Sequence, residues 1–439
     1  MKKELMDQII GEAKALYPKA IEWRRDFHKY AESGWTEFRT AAVIAEKLYG
    51  LGFDVLVGDQ IFDDATMMGV PDKKILEAHQ ERAIAEGALP KWVEQMAGGK
   101  TGVVGVLKGK GNGPVVAARF DIDANDLVES TSKAHKPNIG EFASIHAGVA
   151  HGCGHDGHAA IGLGVDEINA AHRDQLEGTV KLVFQPAEEG VRGARSMMEA
   201  GVVDDVDYFF GAHLGFMVKH DNGFSANAKG FLATSKLDAI FKGAPAHAGA
   251  APQDGRNAIL AAAVATTNLH AISRHGEGTT RINVGQIQGG SGRNVLPAEA
   301  TIKLETRGGD TQLNEYMEKK ARQVIQAAAD MYECEVEIKA MGGAACAESH
   351  PELAKRMTEL ARETGIFSMI EEECHLGGSE DCAYFMERVN NKGGQAIYMA
   401  IGTEIAAGHH EAEFDFNEPA LQNGIAIMSL GILDLAGKA

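Results

Sequence analysis

The stretch His151-Gly-Cys-Gly-His-Asp-Gly-His158 places three histidines, one cysteine and one aspartate within eight residues. Thiolate and imidazole donors suit zinc-like ions, and the intervening glycines let the backbone turn tightly enough for near neighbours to converge. The same residues could instead cap a turn, with Cys153 as a small buried apolar side chain. The stretch therefore predicts a metal site only if more distant partners exist elsewhere in the chain.

Length and composition favour a two-domain protein. The chain has 439 residues, more than one core usually organises, and 44% of them are hydrophobic. A formal net charge of -19 argues against nucleic acid or an anionic membrane as partner. Charged residues interrupt the helical pattern of residues 1–20, so we expect no signal peptide, no membrane span and a cytoplasmic protein. Five scattered cysteines fit a reducing compartment.

Polar side chains follow four apolar runs that read as strands. Asp121 and Asp123 follow residues 115–120, Glu188 and Glu189 follow 180–184, His213 follows 208–212, and His409 and His410 follow 396–401. In an open α/β sheet, the carboxyl ends of neighbouring strands meet at one edge, where ligands bind. The pattern predicts a mixed, mostly parallel sheet with helices on both faces, and a site at that edge.

The remaining segments predict two insertions and one hairpin. Residues 58–100 are rich in Met, Ala and Glu and predict a helical insertion between two strands. The runs 103–107 and 115–120 flank a glycine-rich turn and predict a hairpin. Residues 227–340 predict an inserted α+β lid domain, which leaves 1–226 and 341–439 as the catalytic domain. In the lid, Arg293 and Asn294 are either turn residues or groups that bind a carboxylate and a carbonyl.

Together these motifs resemble the amidohydrolase family of two-metal aminoacylases and carboxypeptidases, which includes hippurate hydrolase and the indole-acetyl-amino-acid hydrolases. The resemblance covers nearly the whole chain and is carried by Trp23-Arg-Arg-Asp-Phe-His28, Cys153-Gly-His-Asp-Gly-His158, Phe184-Gln-Pro-Ala-Glu-Glu-Gly190, Ser291-Gly-Arg-Asn-Val295 and Ala407-Gly-His-His410. It implies a two-metal exopeptidase-like catalytic domain and an inserted domain that serves as lid and dimerisation domain.

The resemblance also implies a role for each candidate residue. The implied metal ligands are Cys153, which bridges the two ions, His155, Glu189, His213 and His410. Glu188 matches the general base, and Asp121 matches the carboxylate that orients the ligands. His247 matches a histidine that stabilises the oxyanion in a neighbouring subunit, and Arg293 and Asn294 match substrate-binding positions. Because relatives usually carry Asn where this chain has Glu411, His409 stays an alternative to His410.

The implied reaction is hydrolysis of an N-acyl or N-aroyl amino acid by water that two divalent ions per chain, manganese or zinc, activate. A cysteine nucleophile at Cys153 is a poor alternative, because Glu188 and His213 would then have no role and a metal-bridging thiolate is a poor nucleophile. Two alternatives stay open at this point: a general aminoacylase, or a metal-binding subunit that is active only with a homologous partner chain. The partner chain is accordingly a second copy in a homodimer or a homologous subunit in a heteromer.

Overall fold

The computed structural model describes residues 2–438. The helices within these residues are α1 (Lys3–Lys29), α2 (Phe38–Gly50), α3 (Lys73–Ala85), α4 (Pro90–Val93), α5 (Lys136–Ile139), α6 (His155–Ala171), α7 (Ala194–Glu199), α8 (Ala258–His270), α9 (Thr311–Met331), α10 (Pro351–Thr364), α11 (Ala383–Asn391) and α12 (Ala420–Ala436). The strands are β1 (Asp54–Val57), β2 (Val103–Lys108), β3 (Val115–Asp121), β4 (Thr179–Gln185), β5 (Tyr208–Leu214), β6 (Gly223–Ser225), β7 (Ala228–Lys229), β8 (Ala233–Lys242), β9 (Thr280–Gly289), β10 (Glu299–Gly308), β11 (Glu335–Ala344), β12 (Met369–Ile370), β13 (Cys374–His375) and β14 (Gln395–Ile401).

The chain divides into two compact units. Unit 1 comprises the described residues up to Gly230, Ala347–Gly377 and those from Asp381 onward, and unit 2 comprises Phe231–Cys346 with Gly378–Glu380. These boundaries lie a few residues after the predicted ones at 226/227 and 340/341. The second boundary moves because β11 continues through 340 to Ala344 and keeps its pairing with β8.

Unit 1 is built on an eight-stranded mixed sheet in the order β1-β2-β4-β3-β5-β14-β6-β12. Its four central strands, β4, β3, β5 and β14, are mutually parallel, while β1 and β2 pair antiparallel at one edge. The mixed, mostly parallel sheet predicted from the polar strand ends is confirmed. The central strands are almost wholly buried, which explains their continuous apolar sequences.

The predicted hairpin between residues 103–107 and 115–120 is wrong, because β4 lies between β2 and β3. The glycine-rich segment that joins the two strands bonds to the residues that precede β4. Gly109 N donates to Gly178 O (2.9 Å), and Gly113 N donates to Glu177 O (2.9 Å). The glycines therefore let the loop approach another backbone closely, rather than fold back as a two-strand turn.

The insertion between β1 and β2 contains α3, α4 and three short 3-10 turns. It is anchored on unit 1 by buried groups: Trp35 Nε1 donates to Met68 O at 2.8 Å, and Met96 is fully buried. None of the helices in residues 2–438 combines the length and hydropathy needed to span a bilayer.

Unit 2 is a four-stranded antiparallel sheet in the order β11-β8-β10-β9, with α8 and α9 packed against it. Both helices begin at a capping side chain. Asn257 Oδ1 accepts from Leu260 N (3.1 Å) at α8, and Asp310 Oδ1 accepts from Leu313 N (2.7 Å) at α9. The edge strand β9 is largely exposed.

Candidate metal centre

The carboxyl ends of the four central strands carry the candidate residues of unit 1. Asp121 is the last residue of β3, Glu188 and Glu189 follow β4, His213 is the penultimate residue of β5, and His409 and His410 follow β14. Cys153 and His155 stand at the start of α6, where Gly154 adopts φ 93°, a left-handed conformation that suits glycine. The structure thus gathers at one sheet edge the residues that the sequence pattern predicted to meet there.

Cys153 belongs to two groups of metal-ligating side chains. One group is Cys153, His155 and Glu189, and the other is Cys153, His213 and His409; within each group the donor atoms lie within 4.8 Å of one another. Cys153 Sγ is 3.4 Å from His213 Nε2. A shared thiolate between two donor sets is suited to holding two divalent ions.

Backbone carbonyls fix the orientation of two imidazoles. His155 Nδ1 donates to Asp123 O (2.9 Å), and His213 Nδ1 donates to Leu214 O (2.9 Å). Because a carbonyl oxygen only accepts, each ring must carry its proton on Nδ1 and present a lone pair at Nε2. His155 Nε2 is buried without a hydrogen-bond partner in residues 2–438, as expected for a nitrogen that binds a cation.

His158 is close to these groups, but both of its ring nitrogens are occupied. Nδ1 contacts Asp121 Oδ1 at 2.5 Å, and Nε2 accepts from Leu214 N–H at 2.9 Å. Asp121 also receives Arg119 Nη1 at 2.7 Å and lies 3.6 Å from His155 Nε2. His158 has no lone pair left for an ion. We therefore expect His158 and Asp121 to orient the neighbouring donor side chains through hydrogen bonds rather than to bind a metal.

Burial and neighbouring charges set the protonation of the cluster. It raises the pKa of the Cys153 thiol well above its usual range, and the nearby Glu189 carboxylate raises it further. Burial, with the neighbouring His158 and His409, lowers the pKa of His213, and burial lowers the pKa of His409 to about 4. Burial thus favours neutral rings at His213 and His409. The pKa of His155 is raised well above its usual value, because the nearby Asp121 and Cys153 outweigh the effect of burial. The thiol needs a nearby cation to ionise.

The two adjacent histidines after β14 occupy different places. The His409 ring lies 5.4 Å from the His213 ring and packs against Phe216 and Phe414, at 4.9 and 4.8 Å between centroids. His410 Nε2 lies 3.2 Å from Glu189 Oε1. Each histidine thus reaches one of the two donor groups, so both remain candidates for the last ligand.

The three candidates from the lid segment lie in unit 2 on two neighbouring loops. His247 and Val295 form an isolated β-bridge, and Ala248 N donates to Asn294 O at 3.0 Å. His247 Nδ1 accepts from Ala250 N at 3.1 Å, which leaves Nε2 as the outward ring atom. His247, Arg293 and Asn294 are all exposed. The structure therefore brings these three residues together within unit 2.

Sequence reasoning assigned no role to two carboxylates beside the predicted base. Asp123 accepts from the backbone of Glu188 (3.1 Å) and Glu189 (2.9 Å), and Glu37 accepts from Ala187 N (2.8 Å). Asp123 could have been found, because it follows Asp121 at the end of the same strand. Glu37 is 150 residues from its partner, and no local pattern marks it.

Known proteins match the chain over nearly its full length. One of the p-aminobenzoyl-glutamate hydrolase subunits of Escherichia coli (strain K12) is 47% identical over 97% of this chain and 97% of its own. Indole-3-acetyl-aspartic acid hydrolase of Enterobacter agglomerans is 46% identical over 95% of this chain and 96% of its own. The crystal structure of an aminobenzoyl-glutamate utilization protein from Klebsiella pneumoniae is 38% identical, with a TM-score of 0.85 over 97% of this chain and 98% of that one.

The model of one protein family, described as peptidase family M20/M25/M40, matches residues 117–434. These residues include every candidate metal ligand described above. The resemblance to two-metal amidohydrolases is confirmed by this match and by the full-length relatives. The chain therefore belongs to peptidase family M20/M25/M40 and is a metal-dependent hydrolase of that family.

Proposed function

We propose that the chain hydrolyses the amide bond of p-aminobenzoyl-glutamate and releases p-aminobenzoate and glutamate. The reaction class rests on one observation, the two donor groups that share Cys153 beside Glu188 and Glu189. The choice of acyl group rests on the full-length similarity to the p-aminobenzoyl-glutamate hydrolase of Escherichia coli. The second relative acts on indole-3-acetyl-aspartic acid, so both substrates join an aromatic acyl group to an acidic amino acid.

Cys153, His155, Glu189 and His213 would hold two divalent ions, manganese or zinc, with His410 as the last ligand and His409 as the alternative. The donor set fits such ions, because it combines a thiol, oriented imidazoles and a carboxylate in a buried cluster. When bound, two divalent ions lower the pKa of water from 15.7 to about 7 and polarise the scissile carbonyl.

The remaining residues would move the proton and hold the substrate. Glu188 takes a proton from the attacking water and returns it to the departing amine. Its carboxylate is near enough to the cluster to raise the pKa of Cys153. His247 donates to the developing oxyanion, an interaction whose loss typically costs about 2.7–4 kcal/mol. Arg293 and Asn294, exposed on one loop of unit 2, hold the carboxylate and carbonyl of the amino-acid portion.

The partner of the chain is proposed to be a second copy or a homologous subunit. The Escherichia coli relative is, by its name, one subunit of its hydrolase. In unit 2 the edge strand β9 exposes Ile287, and α8 exposes Ile259 and Leu260. An unprotected strand edge beside apolar side chains favours association.

The proposal is tested by measuring glutamate release from p-aminobenzoyl-glutamate with the purified single chain, after chelation and again after addition of manganese or zinc. We expect activity to vanish with the chelator and to return with the metal. The matched control is Glu188→Gln, which should bind the same two ions and lose about 10²-fold or more in turnover. An active Glu188→Gln variant would exclude Glu188 as the base.

A parallel assay with indole-3-acetyl-aspartate separates the two substrates. Release of aspartate without release of glutamate would identify indole-3-acetyl-aspartate as the substrate in place of p-aminobenzoyl-glutamate, with the same mechanism. No release from either substrate, with two ions bound per chain, would favour a subunit that needs a homologous partner chain.

A further inference from the structure

We infer that three buried carboxylates, Glu37, Asp123 and Asp381, position the turn that carries Glu188 and Glu189. This inference rests on the roles proposed above for those two glutamates. The turn, residues 186–193, joins β4 to α7 and is called here the glutamate turn. The three carboxylates bond its backbone, so they act through the turn as positioning residues.

The backbone of the glutamate turn is strained. Ala187 and Val191 adopt φ of 53° and 59°, in the left-handed region that residues with a Cβ seldom occupy. At Gly193 a Cβ would lie 1.8 Å from Pro186 O, so only glycine fits there. Such a conformation persists only where surrounding groups hold it, which makes the neighbours of the turn decisive.

The three carboxylates accept hydrogen bonds from five backbone N–H groups at the turn. Ala187 N donates to Glu37 Oε1 (2.8 Å), Glu188 N to Asp123 Oδ1 (3.1 Å), Glu189 N to Asp123 Oδ2 (2.9 Å), and Gly193 N and Ala194 N both to Asp381 Oδ2 (3.0 Å each). These acceptors satisfy backbone N–H groups that belong to no sheet or helix ladder, and Gly193 N also donates to Ala187 O at 3.0 Å.

The carboxylates are themselves fixed by polar partners in the core of unit 1. Thr101 Oγ1 donates to Glu37 Oε2 at 2.6 Å, and Gln185 Nε2 donates to Asp381 Oδ1 at 2.8 Å. Glu37, Asp123 and Asp381 are fully buried and come from three separate parts of the chain. Through its backbone carbonyl, Asp123 also orients His155, so one residue sets the spacing between two metal ligands.

The bonding pattern predicts how each carboxylate tolerates an amide. Both oxygens of Asp123 accept from backbone N–H groups. In Asp123→Asn, the side-chain NH2 group would therefore face one of these N–H donors, and that hydrogen bond would be lost. Glu37 uses one oxygen for an N–H and the other for a hydroxyl, which can donate or accept. Glu37→Gln should therefore keep both contacts, whereas Glu37→Ala removes them.

The experiment compares Glu37→Ala, Glu37→Gln and Thr101→Val with Glu32→Ala. Glu32 is the matched control, because it is a buried glutamate of the same segment that accepts from Arg39 N and Thr40 N of α2 and not from the turn. The readouts are kcat, KM and zinc affinity, the last measured by competition with a coloured chelator in the absence of substrate.

We expect Glu37→Ala to lower zinc affinity about 10-fold and kcat about 10–100-fold with KM nearly unchanged, in the range typical of residues behind metal ligands. Glu37→Gln should restore most of both, Thr101→Val should show a smaller loss, and Glu32→Ala should lower only the thermal midpoint. Wild-type kcat and zinc affinity in Glu37→Ala, or equal losses in Glu32→Ala, would overturn the inference.

Two features keep this test decisive. If Glu37→Ala does not fold, Thr101→Val decides, because it keeps the size of the side chain and removes only the hydroxyl; unchanged kcat and zinc affinity in that variant would then overturn the inference. If the wild-type chain does not hydrolyse p-aminobenzoyl-glutamate, the proposed function fails, while the zinc affinities still test the positioning role.

Discussion

His409 and His410 are adjacent in sequence, and each has a feature expected of a metal ligand. Two ligands at 2.0–2.2 Å from one tetrahedral ion lie about 3.3–3.6 Å apart, and His410 Nε2 is 3.2 Å from Glu189 Oε1. His410 also adopts φ 66°, in the left-handed region that few non-glycine residues occupy. His409 packs among aromatic rings in the donor group of Cys153 and His213, and its Nε2 is buried without a hydrogen-bond partner within residues 2–438.

With His410 as the proposed last ligand, we expect His410→Ala to reduce the zinc content from two ions per chain to one, because Glu189 loses the donor beside it. His409→Ala is the control and should keep two ions, with a small loss of thermal stability from the lost ring packing. The measurement is zinc per chain by atomic spectrometry after dialysis. One ion in His409→Ala and two in His410→Ala would move the ligand to His409.

At the scale of single elements, the sequence predicted features that depend on neighbouring residues and missed contacts between distant parts of the chain. The position of polar residues after apolar strands predicted the site edge, since strand ends of a parallel sheet must meet there. The sequence contains no comparable signal for which strands pair with each other, so β4 was not expected between β2 and β3. Asp381 is likewise 188 residues from Gly193, the turn residue that it binds, and only the folded chain reveals that contact.

Helix α6 carries a buried carboxylate that the proposed chemistry does not use. Asp166 is fully buried, and neither of its oxygens has a hydrogen-bond partner within residues 2–438. Burial raises its pKa well above 3.8, against the opposing effect of Lys47. The next residue, Glu167, has the opposite shift: burial raises its pKa, but hydrogen bonds from Lys19 and Lys47 outweigh burial and lower it.

The pKa shift of Asp166 gives the stability of the chain a defined pH dependence. The folded state keeps this proton above pH 3.8 while the unfolded state releases it, so the contribution of Asp166 is greatest below that pH and is lost as pH rises toward the folded pKa. Asp166→Asn should remove this slope and raise the free energy of unfolding at pH 7 by about 1–3 kcal/mol.

Urea unfolding of the metal-free protein between pH 4 and pH 8 measures the effect of Asp166→Asn. Glu167→Gln is the control. It should lower stability at pH 7, because the folded pKa of Glu167 is depressed and its stabilising contribution is present above the unfolded pKa. A lower stability of Asp166→Asn at pH 7 would show that the carboxylate is stabilised by partners in the folded state.

At the scale of the whole molecule, the proposed function requires an acidic chain to bind an anionic substrate. The formal net charge of -19 opposes that binding unless cations are placed locally. Bound divalent ions would supply positive charge in unit 1, and Arg293 would supply it in unit 2. The proposed roles thus assign the chemistry to residues of unit 1 and substrate binding to residues of unit 2.

Mixing two inactive variants distinguishes those assemblies. Glu188→Gln lacks the base and His247→Ala lacks the oxyanion donor, so each should be nearly inactive alone while keeping both ions. If His247 serves the neighbouring subunit of a homodimer, half of the dimers after exchange are mixed, and each mixed dimer contains one intact site. Turnover should then recover to roughly a quarter of the wild-type value.

The measurement is glutamate release after subunit exchange, with each variant incubated alone as control. No recovery, despite mixed dimers detected by native mass spectrometry, would place His247 and Glu188 of the same chain in one active site.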